Sequence, residues 1–151
     1  MTLRGFVTSL TPIRHYSLAP APLLYQWRAY DDRQGAGHVE TPDEAEAAFH
    51  AIDLDASLGA VLVEFYGESG VSLSVGAGRG DLSVLTYQAS FDPPYYVSTG
   101  RWEGGSLDFS YGGSYSEFRA SNVIPKADAL AALREFVATR SRPTHVAWDE
   151  V

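Results

Sequence analysis

Ala60-Val61-Leu62-Val63-Glu64-Phe65-Tyr66 sets Val61, Val63 and Phe65 against Leu62, Glu64 and Tyr66 with a period of two, the repeat of a β-strand. The pattern continues downstream. Val71, Leu73 and Val75 alternate with Ser72 and Ser74, and Leu82 to Gln88 and Tyr95 to Thr99 are rich in β-formers. Leu107, Phe109 and Tyr111 alternate with Asp108 and Ser110. Short Gly-containing connections separate most of these runs, which predicts hairpins and antiparallel pairing. Polar residues at the alternate positions predict one packed sheet face and one that is partly wet.

Helix signals flank this meander. Upstream, Thr41 suits an N-cap, Pro42 the first helical position, and Glu44 completes a Thr-x-x-Glu capping box. Ala45, Ala48, Phe49 and Ile52 then form one apolar stripe. Downstream, a second helix begins near Pro125 with Leu130, Leu133 and Val137 as its stripe, thickened by Ala129 and Phe136. Pro143 bars its extension, and Thr144 to Trp148 reads as a last strand. Before the first helix, Leu23 to Tyr30 reads as a strand and Asp31 to Gly37 as a loop. The order predicts an α+β fold, a mainly antiparallel meander with two helices packed on it. Residues 1–22 read as an N-terminal extension whose structure the pattern leaves open, with an edge strand as one option.

A chain of 151 residues and 16.4 kDa buries roughly 68% of its unfolded surface on folding, which suits one domain over residues 1–151. Nineteen acidic and eleven basic residues leave a net charge of −8, and Lys126 is the one lysine. Such a chain does not hold a phosphate backbone over a broad surface, so nucleic acid is not an expected partner. The charge favours solubility and a basic partner. No cysteine is present, which excludes disulfides, a thiol nucleophile and Cys-based metal sites. Arg4, Arg14 and His15 interrupt any signal-peptide core, and no apolar run approaches the ~20 residues of a membrane span. A cytoplasmic protein without a membrane partner is expected.

The motifs that carry chemistry are weak. His15, His38, His50 and His145 show no zinc-binding spacing, so neither metal nor cofactor is expected. Gly76-Ala-Gly78-Arg-Gly80 precedes a strand rather than a helix, which makes it a turn and not a phosphate cradle. Gly67-Glu-Ser-Gly70 lacks the spacing of a nucleophile elbow. Glu64, Asp81 and Asp108 would serve a hydrolase or a small-ligand site only if they converged in a cleft. The stronger feature is aromatic density between Phe91 and Phe118, interleaved with acids. Phe109 and Tyr111 read as core. Tyr95, Tyr96, Trp102 and Tyr115 lie near turns, where large rigid rings suit a binding surface.

Gly76-x-Gly, Leu82 to Tyr87, Ser98-Thr99-Gly100, Phe109-Ser-Tyr-Gly-Gly and Glu117 stand in this order. They are followed by Ile124-Pro125, Arg134-Glu-Phe-Val-Ala-Thr139 and Arg142-Pro-Thr-His-Val-Ala-Trp148. Over about Val71 to Trp148 the chain resembles the first-numbered family of bacterial polymorphic-toxin immunity proteins. It departs where family members often carry Gly after the helix, since Arg140-Ser141 stand there. The resemblance implies a small cytoplasmic antidote, not an enzyme, that binds a cognate toxin domain and blocks it. Toxins that attack nucleic acid are common in such systems. A basic cleft would draw a −8 protein and accept an acidic rim around aromatic anchors. Tyr95, Tyr96, Trp102, Glu103, Tyr115 and Glu117 are the expected contacts. Trp148 and the Arg142-Pro143 corner are expected to be structural. A generic acidic interaction domain, and the ligand-binding or hydrolytic use of the meander carboxylates, are the competing readings.

Overall fold

The structure, a computed structural model, describes residues 21–151. Most of the expected N-terminal extension, residues 1–20, lies outside the described residues. The strands are β1 (Leu23–Arg28), β2 (Gln34–Val39), β3 (Val61–Tyr66), β4 (Ser72–Ala77), β5 (Leu82–Ser83), β6 (Leu85–Gln88), β7 (Tyr95–Thr99), β8 (Ser106–Tyr111), β9 (Ser114–Arg119), β10 (Ile124–Pro125) and β11 (Ala147–Glu150). The described residues also form two α-helices, α1 (Pro42–Asp53) and α2 (Lys126–Thr139). Seven strands run in the order β11-β7-β6-β4-β3-β1-β2, all antiparallel; β8 joins β3 in parallel and carries β9. The fold is α+β, as the periodicities predict.

Helix α1 starts where its capping residues place it. Thr41 Oγ1 accepts from the Glu44 N–H at 3.1 Å, and the Glu44 carboxylate accepts from the Glu40 N–H at 2.7 Å. Ala45, Phe49 and Ile52 of α1 join Ala129, Ala132, Leu133, Phe136 and Val137 of α2 in the main core. Both stripes cover one sheet face, formed by Val61, Val63, Phe65, Leu73, Val75, Leu85 and Tyr87. A single carboxylate ties the layers together. Asp53, at the end of α1, receives Lys126 Nζ at 2.7 Å and the Gly78 N–H at 2.8 Å. Gly78 has φ +90°, and a Cβ there would lie 2.4 Å from the Gly59 carbonyl oxygen. The glycine-rich segment is therefore the turn its context implies.

Three sequence expectations change. Asp31 to Gly37 is not all loop: Gln34 onward is β2, paired with β1. Its glycines face rings across the ladder, Gly37 opposite Tyr25 and Gly35 opposite Trp27. A Cβ at either site would lie within 2.7 Å of the opposing ring, so glycine here seats aromatics rather than ending a strand. Ser114–Arg119, in no expected run, is β9. The second sheet face is also less wet than alternation suggests. Leu62 packs there with Ala60, Val84, Phe109 and Val123 in a second cluster, and every residue of β4 is buried.

Candidate functional site

Residues paired across a ladder share a face. On the face away from the helices, Glu64 of β3 stands opposite Ser74 of β4, which stands opposite Thr86 of β6 and then Val97 of β7. The next row carries Tyr66, Ser72, Gln88 and Tyr95. The β8–β9 hairpin rises beside this face. Gly112 and Gly113, at φ +60° and +88°, make its two-residue turn. One residue pair, Val61 with Ser110, joins it to β3. The Ser110 N–H donates to Ala60 at 2.9 Å and its hydroxyl to the Arg28 carbonyl at 2.7 Å.

Between sheet and hairpin lies a groove of about 730 Å³, lined by Thr86, Gln88 and Tyr95 on one side and by Ser106, Tyr111 and Glu117 on the other. A second groove of about 560 Å³ is lined by Gln26, Gln34, Glu64, Tyr111 and Gly112. Tyr111 borders both. Its phenol pKa is raised by burial first and then by the charge of Glu64. Tyr115, on the same face of β9 as Glu117, stacks on Tyr30 with centroids 6.5 Å apart. Tyr30 donates to Asp108 at 3.0 Å, and Asp108 also pairs with Arg79 at 2.8 Å. Burial, and then the hydrogen bond to Asp108, push the Tyr30 phenol up to about 12.

The expected contact residues divide. Tyr95 and Glu117 line the first groove, where Glu117 accepts from Ser106 at 2.8 Å and Tyr95 donates to the Phe91 carbonyl at 2.6 Å. Tyr115 stands on the same hairpin, 64% exposed. Tyr96, one residue along β7, also borders the first groove but packs with the helix-side core, 6.3 Å from Tyr87 and under the Arg142 guanidinium at 4.3 Å. Trp102 is half-buried against the second cluster, its ring lying over Gly104. Glu103 is exposed, and neither it nor Trp102 lines either groove. Tyr111 overturns its reading as core: it is 41% exposed, whereas Phe109 is fully buried. Both share a strand face, but Tyr111 stands at the hairpin end, beyond the cluster that covers Phe109. Tyr30 and Gln26 had no sequence signal, because strand pairing alone brings β1 to this side.

The meander carboxylates do not build a catalytic pair. Glu64 accepts from Gln26 at 2.7 Å, Asp108 is taken by Arg79 and Tyr30, and of the three only Glu64 lines either groove. Among the described residues no group of three His, Asp or Glu side chains gathers to hold a metal ion, and no helix is long and apolar enough to cross a membrane.

The motif-bearing C-terminal segment is a built corner. Arg140 takes the left-handed cap position at φ +58°, a conformation that favours glycine. The Glu135 carboxylate accepts from the Thr144 N–H at 2.9 Å and its hydroxyl at 2.8 Å, and Trp148 Nε1 donates to the Pro143 carbonyl at 2.9 Å. No curated protein matches the sequence. The family model described as "Immunity protein Imm1" matches residues 33–150, a span that starts at the turn into β2 and closes on β11, well beyond the motifs that carry the resemblance. With more than three quarters of its length so matched, the chain belongs to the Imm1 family of immunity proteins.

Proposed function

We propose that this protein binds a cognate toxin domain in the cytoplasm and neutralises it by occupancy, without turning over a substrate. Membership of the immunity family carries this reading. The sheet face away from the helices supports it, because aromatic and acidic side chains there border two open grooves. Tyr95, Tyr115 and Glu117 are the proposed central contacts, with Trp102 and Glu103 toward the rim and Tyr96 holding β7 in place. The net charge of −8 suits a toxin with a basic cleft, such as an enzyme that attacks nucleic acid.

Co-expression with the toxin domain encoded beside this chain tests the reading. Rescue of growth and a stable complex are expected. Tyr115→Ala should weaken binding about tenfold, as for a well-placed interface aromatic, and lower the thermal midpoint only slightly, because the ring is mostly exposed and loses only its stack on Tyr30. Failure to rescue, or turnover of a substrate by the pure protein, would reject the reading.

A further inference from the structure

We propose that Glu64 is the socket for one lysine or arginine side chain of the toxin. This rests on the toxin-binding reading and adds the chemistry of a central contact.

Glu64 is half-buried on the face away from the helices and lines the second groove. The other half-buried carboxylates there and elsewhere mostly have a cation. Glu46 has Arg134 at 3.2 Å, Asp53 has Lys126 at 2.7 Å, Asp108 has Arg79 at 2.8 Å, and Asp128 has the His145 imidazole, a cation only when protonated, at 3.4 Å. Glu64 has only the neutral Gln26 amide, with no cation within 4 Å among the described residues. Glu135 and Asp149 are likewise bonded to Thr144 and Asn122, but neither lines a groove. Arg28 borders the same groove, yet is drawn to Asp32 at 3.3 Å.

The position opposite Glu64 in the ladder supplies no counter-charge. Ser74, directly opposite Glu64 in the ladder and on the same face, is 0% exposed, and its hydroxyl lies beside the Tyr111 phenol. A partly desolvated carboxylate without a counter-charge is costly in the free protein. An ammonium or guanidinium group entering the groove supplies the missing counter-charge. Tyr111 borders the same groove and places an aromatic side chain beside that space.

Calorimetry of the full chain with the toxin domain encoded beside it tests the assignment. Glu64→Gln keeps an acceptor for Gln26 and removes the charge. Binding should fall about 30-fold, the lower end for truncating one member of a desolvated charge pair. The thermal midpoint of the free protein should stay level or rise, since an uncompensated charge has gone. Glu40→Gln, exposed at the entrance to α1, should bind as wild type. Wild-type affinity in Glu64→Gln, or an equal loss in Glu40→Gln, overturns the socket and leaves the toxin-binding reading standing. A lowered midpoint in Glu64→Gln assigns the residue a structural role and also overturns it. No binding by the wild-type chain overturns the reading and the socket together.

Discussion

Asp53 and Lys126 show how one pair of side chains holds several elements. The Asp53 side chain is 4% exposed and joins the end of α1, the Gly78 turn and the start of α2. Lys126→Met strands a buried carboxylate on one backbone N–H, and should cost about 3–5 kcal/mol in urea unfolding. Adding Asp53→Asn should recover part of that loss; no recovery would mean that the charge pair is not the cause. Glu135 carries a pH dependence. Its hydrogen bonds from Thr144 hold its pKa below the ordinary 4.5. The folded form therefore releases its proton more readily than the unfolded chain. The stabilisation is complete above about pH 4.5 and is lost as pH falls through the lower folded value. Glu135→Gln should flatten the acid limb of a plot of thermal midpoint against pH, and an unchanged slope would discount the Thr144 tie. Ser98 and Asn122, the chain's one asparagine, form a buried network. The Ser98 hydroxyl accepts from the Leu85 N–H at 3.0 Å and donates to the Asn122 carbonyl at 2.7 Å, while the Asn122 amide donates to the Ser98 carbonyl at 2.8 Å.

Among the elements, α1 was legible because its signals are local. A cap, a first-turn proline and an apolar stripe all act within a few residues of one another. Thr41→Ala removes the acceptor for the Glu44 N–H and should lower stability by about 1 kcal/mol. Equal denaturant midpoints for the two proteins would show that Glu44 alone caps the helix. β2 was not legible, since Gly35 and Gly37 carry the local signature of a loop. Only the Trp27 and Tyr25 rings lying against them explain their place in a strand. β9 was hidden for a related reason. Ser114-Tyr-Ser-Glu-Phe-Arg119 is mostly exposed and gains no apolar alternation, so its strand character comes from register with β8 across the Gly112-Gly113 turn.

For the molecule as a whole, the sheet separates two tasks. One face is sealed by the helices, and the other, partly covered by the second cluster, bears the grooves. Charge acts at this scale as well. With a net charge of −8, association with a basic toxin should slow as salt rises, because screening shortens the field to about 10 Å at 0.1 M ionic strength. Stopped-flow association rates measure this, and a rate independent of salt would remove electrostatic steering. Dissociation should change less, because it reports the close contacts rather than the long-range field.

Fold class, both helices and the main strands could be read from the chain alone, because periodicity and capping are short-range and recur within a few residues. So could the aromatic and acidic character of the segment from Phe91 to Phe118. Which rings meet a partner could not be read in this way. Tyr95 and Tyr96 are neighbours that both border a groove, yet only Tyr96 packs against the helix-side core, and Phe109 and Tyr111 share a strand face but not a degree of exposure. Those outcomes follow from the attachment of the β8–β9 hairpin to β3 and from the packing of helices on the opposite face. Both are contacts between residues far apart in the chain, and no local pattern encodes them.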